Sequence, residues 1–168
     1  MTRPSITISL NPLLEAYCRF TFSTPVAEKE IKLRRPHDIF KLIHSNIISS
    51  DLPVKRPFME HPVTFILPLD NINQYAIRYH FLHVSPWGVQ KITDGIEYEF
   101  RRWIRERFDS GYAKRYEQKC IIEAILRGLN LRDNSTNFDA IKKIDYRHRR
   151  KIEEKRFAEL LTISMSQD

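Results

Sequence analysis

The sequence predicts an α+β fold, with short strands in a mixed N-terminal half and a helical C-terminal half that ends in a helix-turn-helix-like pair. Up to residue 84, short stretches of alternating apolar and polar residues lie between prolines, which is typical of strands and loops. From residue 85 onward the only proline is Pro86, and apolar residues recur every three or four positions, as in helices. We therefore divide the chain into 1–84 and 85–168 and expect the two halves to form one compact domain.

Strands and helices alternate in the N-terminal half. Apolar alternation predicts strands over residues 5–10 and 29–34, and a compact apolar run predicts a third over residues 63–69. Alternation over residues 75–84 favours a fourth strand, with a helix as the alternative. Pro68 places the end of the third strand at a sheet edge. Asn11-Pro12 predicts a helix start, with Asn as the cap, and a second helix opens at Pro36-His37-Asp38 with Ile47 on its apolar side. The proline-rich segment 55–62 is predicted to be a loop.

Three helices are predicted in the C-terminal half. The first begins at Ser85-Pro86 and ends at Gly111, and the second covers residues 112–127. After a polar turn, Asn137 is predicted to cap a third helix, which is basic over residues 138–156. A helix, a turn and a basic helix follow one another in helix-turn-helix readers of DNA, although this turn is longer than the usual three or four residues.

Composition limits the class of protein. The chain can bury a core, since 42% of its residues are hydrophobic, and its net charge of +7 predicts an acidic partner. No apolar run reaches the ~20 residues of a membrane span, and the N-terminus lacks the pattern of a signal peptide. Cys18 and Cys120 are too few for a disulfide framework, and we expect both to be buried. These features predict a cytoplasmic protein without a membrane partner.

The positive charge is concentrated in residues 140–156, which hold eight basic and three acidic residues and net +5. On a helical projection, Ile141, Ile144, His148 and Ile152 form one apolar side of the third helix. Six other side chains project from about 20° to 180° on the same projection. We call them the basic face: Lys142, Lys143, Tyr146, Arg147, Arg149 and Arg150.

The basic face predicts a non-catalytic DNA-binding protein. Lysine and arginine can neutralise phosphates, arginine can contact guanine in the major groove, and Tyr146 can stack on a base. Duplex DNA is favoured over RNA, although no sequence element distinguishes the two. Three alternatives stay open: a basic face that is merely solvated, a virion or assembly protein that binds other proteins, and a nuclease that uses Asp70, Glu97 and Glu99.

No catalytic residue, cofactor or metal is predicted. His80 and His83 are three residues apart, which on a strand sends their side chains to opposite faces. The sequence has no phosphate-binding glycine loop, no dinucleotide glycine pattern and no nucleophile-elbow motif.

The end of the third helix carries apolar residues outside the 141–152 stripe. They are Phe157, Leu160, Leu161 and Ile163, and the first three project at about 100°, 40° and 140°. We expect them to pack elsewhere within the chain, the alternative being a partner such as a second copy in a homodimer.

Residues 60–156 resemble small basic proteins of phages and mobile elements of Bacteroides-type bacteria. The resemblance lies in Gly111-Tyr112, residues 119–124 with Leu126, Phe138 and residues 142–149. It implies an origin in a phage or mobile element and a location in the cytoplasm of the bacterial host cell. For the structural alternative, it implies a location in the virion and phage proteins as partners. It also implies a role in handling DNA and carries over no catalytic residue.

Overall fold

The structure is a computed structural model that describes residues 3–69 and 80–165. The described residues form five strands: β1 (Ser5–Ser9), β2 (Glu30–Lys32), β3 (Ile47–Ser50), β4 (Pro62–Ile66) and β5 (Phe81–Val84). They also form five helices: α1 (Pro12–Thr21), α2 (Asp38–Ser45), α3 (Pro86–Ala113), α4 (Gln118–Gly128) and α5 (Ser135–Met165). The predicted α+β class and the helical C-terminal half are confirmed.

The chain divides into two compact units, Met1–Phe100 and Arg101–Asp168. The division falls inside α3, whereas the composition of the sequence changes at Ser85. In the described part of the chain, the first unit contains all the strands with α1 and α2, and the second contains α4 and α5.

The first unit is built on a three-stranded sheet with the order β1-β4-β2. β4 runs antiparallel to β1, with Phe65 opposite Ile6, and parallel to β2, with Phe65 opposite Ile31. All three of these side chains are buried. The prediction that Pro68 places the end of this strand at a sheet edge is wrong, because β4 is the central strand. Pro68 lies beyond Ile66, the last residue of β4, so its missing N–H does not interrupt the hydrogen bonds of the sheet.

The helix starts predicted in this unit are confirmed. The Asn11 side chain accepts a hydrogen bond from the Leu13 N–H at 2.8 Å, and His37 Nδ1 accepts one from the Ile39 N–H at 3.2 Å. α2 is shorter than predicted, because it ends at Ser45 and Ile47 begins β3.

β3 pairs with β5 in a separate antiparallel ladder of two strands, in which Ile47 lies opposite Val84. This pairing draws the backbone out of the helix after α2. Of the strand predicted over residues 75–84, residues 81–84 are confirmed as β5, and residues 75–79 lie outside the described residues.

Glu15 anchors α1 to the segment that precedes β4. Its carboxylate accepts a hydrogen bond from Arg19 Nε at 2.8 Å and is also hydrogen-bonded to His61 Nε2. Burial acts to raise the pKa of Glu15, but the hydrogen bonds with His61 and Arg19 outweigh it, so the pKa lies below its ordinary value. Glu15 is therefore ionised in the folded protein at neutral pH.

The second unit depends on close contact between α3 and α4 at a glycine. Gly111 lies within α3 and does not end it, so the predicted helix end is wrong. A Cβ at Gly111 would lie 2.5 Å from Ile121 Cδ1, so only glycine leaves room for that buried side chain. The helix ends at Ala113, and the chain turns at Arg115, whose φ is 62°.

α4 and α5 are joined by a turn at Asn130, whose φ is 56°. The Leu131 N–H closes α4 by donating to the Leu126 carbonyl at 2.9 Å. Asn134 caps α5, since its side chain accepts a hydrogen bond from the Asn137 N–H at 2.9 Å. The prediction that Asn137 is the cap is wrong by one helical turn, because a better-placed Asn precedes it.

Ser85 caps α3 as predicted, because its hydroxyl accepts a hydrogen bond from the Gly88 N–H at 3.0 Å. Cys18 is fully buried as predicted, and burial raises the pKa of its thiol to about 12. The prediction for Cys120 is wrong, since this residue lies on the solvent side of α4 and is exposed. No helix among the described residues is both long and apolar enough to cross a membrane.

Candidate nucleic-acid interface

α5 is a continuous helix of 31 residues whose N-terminal part is docked on its own unit. Ile141 is fully buried, and Ile144, His148 and Ile152 are half-buried. The predicted apolar side is therefore the docked side of the helix, and the basic face points away from it.

A buried carboxylate sits in the middle of this docked side. Asp145 is only 1% exposed. Its Oδ2 accepts hydrogen bonds from Tyr112 Oη and from Gln118 Nε2, both at 2.7 Å, and Arg149 Nη2 lies 2.9 Å away. The four side chains come from three helices, so Asp145 ties α5 to α3 and α4.

The surroundings of Asp145 hold Tyr112 in its neutral form. Burial, followed by the hydrogen bond to Asp145 and the negative charge of Asp145, raises the pKa of Tyr112 to about 12, although the Arg149 charge opposes this. Tyr112 therefore remains a hydrogen-bond donor at neutral pH. The Arg149 guanidinium also lies 5.3 Å from the Tyr112 ring, which adds a cation–π contact.

This cluster was not predicted from the sequence. Asp145 was counted only among the three acids of residues 140–156, although it projects at about 340°, beside the apolar side of the helix. That position was a usable signal, because a carboxylate on a docked face requires donors. Tyr112 and Gln118 carried no comparable signal, since they are 33 and 27 residues away from Asp145 in the sequence.

Five of the six predicted basic-face residues project into solvent. They are exposed and lie together along one side of α5: Lys142, Lys143, Tyr146, Arg147 and Arg150. Arg150 Nε is 2.9 Å from the Glu154 carboxylate, and this exposed ion pair contributes little to the stability of the fold. Within the described residues, Lys142, Lys143 and Arg147 form no ion pair.

Arg149 differs from the other five residues. Its side chain is 49% exposed, and its guanidinium is held between the Asp145 carboxylate and the Tyr112 ring. The charge of Asp145 compensates that of Arg149. The free positive charge of the basic face therefore comes from Lys142, Lys143 and Arg147, and Arg150 can add to it because its exposed pair with Glu154 is weak.

Beyond Ile152 every α5 side chain that the structure describes is exposed. This part carries large apolar side chains, which we call the apolar segment: Phe157, Leu160, Leu161, Ile163 and Met165. The prediction that Phe157, Leu160 and Leu161 pack within the chain is wrong, because the helix continues past its last docked turn and leaves them 65%, 64% and 50% exposed. The direction of Phe157, about 100°, is close to that of Tyr146, about 80°.

The histidines do not assemble into a metal site. His80 Nδ1 is 2.6 Å from an Asp51 carboxylate oxygen, and His83 lies in β5. Over residues 3–69 and 80–165, no group of three or more His, Cys, Asp or Glu side chains is placed to hold a metal ion. Asp70, which the nuclease alternative requires, lies outside these residues.

Comparison of the chain with protein-family models, with curated proteins and with solved structures gives no match.

Proposed function

We propose that this chain is a non-catalytic DNA-binding protein whose basic face contacts the phosphates and groove of duplex DNA. Its role would be that of an accessory or regulatory protein of a phage or mobile element, an origin suggested by the resemblance of residues 60–156. One observation supports the proposal most strongly: free cations and an aromatic ring lie along one side of a helix whose other side is docked.

The dimensions of the basic face suit a nucleic-acid backbone. From Lys142 to Arg150, α5 advances by about 12 Å at 1.5 Å per residue. Phosphates of one DNA strand are spaced at about 3.4 Å along the duplex axis, so several of them come within reach of the four exposed cations of this face. Tyr146 lies between these cations and can donate a hydrogen bond to a phosphate or contact a base.

The choice of variants follows from the Asp145 cluster. Substituting Arg149 would disturb a buried carboxylate as well as the basic face, so its effect on DNA binding would be ambiguous. Lys142, Lys143 and Arg147 are exposed and unpaired within the described residues, so their loss changes charge without changing packing. The triple variant K142A/K143A/R147A, the face variant, is therefore the informative one.

A matched control is available on the same helix. Lys151, Lys155 and Arg156 are also exposed but project at about 220°, 260° and 0°, away from the centre of the basic face. The control variant K151A/K155A/R156A loses the same formal charge, one part of it from Lys155, whose exposed pair with Glu159 is weak at 4.0 Å.

At about 0.1 M salt, we expect the face variant to bind duplex DNA about two orders of magnitude more weakly than the wild type, because three phosphate contacts are lost. The control variant should stay within a few-fold of the wild type. Equal affinities of the face variant and the wild type, with both folded by circular dichroism, would contradict the proposal. Parallel titrations with RNA of the same sequence test the preference for DNA.

A second candidate function is a protein–protein interaction, either in a virion or assembly complex or in a homodimer. The exposed apolar segment favours it, because contiguous apolar surface on a helix is typical of interaction sites. Light scattering on the wild type and on F157D/L161D distinguishes the candidates. A mass that falls to that of the monomer in the variant, together with no DNA binding by the wild type, would favour this function over the first.

A further inference from the structure

The loop between β3 and β4 exposes an aromatic side chain almost completely. Phe58 is 95% exposed, the largest fraction of any large apolar side chain among the described residues. A single exposed apolar residue is ordinary, but a phenyl ring in water forgoes the burial that stabilises the core. The ring of Phe58 is therefore available for contact with a ligand.

The loop is anchored at both ends. At its start, Asp51 is paired with His80 Nδ1 at 2.6 Å. At its end, His61 is hydrogen-bonded to Glu15, and the His61 carbonyl accepts from the Leu10 N–H at 3.0 Å. The exposed ring thus stands on a loop whose two ends are fixed to the first unit.

The residues around Phe58 restrict the backbone and add charge. Pro53 and Pro57 fix φ at two positions, which lowers the entropy that the loop loses on binding. Lys55 and Arg56 are exposed and form no ion pair within the described residues. The nearest acids along the chain are Asp51 and Glu60, and the charged residues between them are Lys55 and Arg56.

A ring next to cations matches the chemistry of a nucleic-acid strand, in which phosphates alternate with bases. Aromatic side chains stack on bases of any sequence, while lysine and arginine neutralise the adjacent phosphates. Stacking requires a base whose face is accessible, which a continuous duplex does not offer.

We propose that residues 55–58 bind a single-stranded segment of nucleic acid, with Phe58 stacked on an unpaired base and Lys55 and Arg56 on the flanking phosphates. The inference rests on the proposed function in that the ligand is nucleic acid. It uses no residue of α5 and concerns a different ligand, single-stranded rather than duplex.

The test measures binding of the full chain to a single-stranded DNA of about 12 thymidines with one central 2-aminopurine, a length in the range of single-strand sites. The variants are F58A, the conservative F58Y, and L52A as a control, since Leu52 is a second exposed apolar side chain of the same loop. Because Phe58 is 95% exposed and Leu52 is 73% exposed, thermal melts of all three variants should match the wild type.

We expect F58A to weaken single-strand binding about tenfold or more and to abolish the change in 2-aminopurine fluorescence that stacking produces. F58Y should retain both, and L52A should bind like the wild type. Wild-type affinity of F58A for the single strand would overturn the proposal. So would a loss of binding to a purified acidic protein partner without a loss of binding to DNA, because the loop would then be a protein-docking element.

The two proposals fail in different ways. If the face variant loses duplex binding and F58A changes nothing, only the role of Phe58 is overturned. If F58A weakens single-strand binding and the face variant leaves duplex binding intact, the role of Phe58 stands and the proposed role of α5 is overturned. Absence of any DNA binding by the wild type overturns both.

Discussion

Replacing Asp145 with alanine is the perturbation of the second unit whose effect can be worked out most fully from the structure. The substitution removes the carboxylate that accepts hydrogen bonds of 2.7 Å from Tyr112 Oη and Gln118 Nε2, so both donors lose this acceptor. Unsatisfied donors that are partly buried cost on the order of 1 kcal/mol each, and the deleted carboxyl group leaves a small cavity. The Arg149 side chain, 49% exposed, returns to solvent at little cost.

Together these effects predict that D145A lowers the free energy of unfolding by about 2–4 kcal/mol. For a chain of this length, the melting temperature should fall by about 5–15 °C. Thermal and urea denaturation followed by circular dichroism measure the change. D139A is the control, because Asp139 is an exposed acid in the first turns of the same helix and its loss should cost less than about 1 kcal/mol.

A melting temperature of D145A within about 2 °C of the wild type would refute the role given to this cluster. Equal losses in D145A and D139A would also refute it, since the effect would then reflect charge alone. The substitution D145N separates stability from binding. It removes the negative charge beside Arg149, so at a temperature at which both proteins are folded we expect it to bind duplex DNA at least as tightly as the wild type.

Three further predictions concern single residues. The pKa of Glu15 is lowered on folding, so the stability that its carboxylate contributes should be present above about pH 4.5 and lost as the pH falls through its folded pKa. The difference in urea stability between the wild type and E15Q should therefore vanish in acid. A thiol reagent should modify Cys120 and spare Cys18 in the folded protein, and mass spectrometry showing rapid modification of Cys18 would contradict its burial. G111A should destabilise the protein by about 1–2 kcal/mol in urea titrations despite the better helix propensity of alanine, whereas G128A, with no atom within 4 Å of the added Cβ, should not.

Local signals in the sequence predicted much of the fold. The caps at Asn11 and Ser85 and the short strands depend on residues close together in the chain, so their patterns were sufficient. The same holds for the docked side of α5, which follows from helical periodicity.

The errors arose where distant residues decide the structure. Glycine ends many helices, but Gly111 serves the approach of Ile121, a contact that periodicity does not reveal. Ile47 fits the apolar side of a helix, but pairing with β5 draws it into a strand. The central position of β4 likewise depends on partners far away in the sequence.

The candidate site was predicted in its outline and not in its detail. The six side chains of the basic face were identified from charge and helical projection. The Asp145 cluster distinguishes Arg149 from the other five, and it depends on Tyr112 and Gln118, which other helices bring to α5. The loop around Phe58 was predicted as a loop, but the exposure of the ring depends on the packing of the whole first unit.

The measurement that tests the central claim most directly is the salt dependence of duplex binding by the wild type, the face variant and the control variant. Each phosphate contact contributes about −0.9 to the slope of log K against log salt concentration. Lys142, Lys143, Arg147 and Arg150 together predict a slope of about −3.6 for the wild type, about −0.9 for the face variant and about −3.6 for the control variant. Equal slopes for the face variant and the control variant would contradict the claim that α5 binds DNA through its basic face.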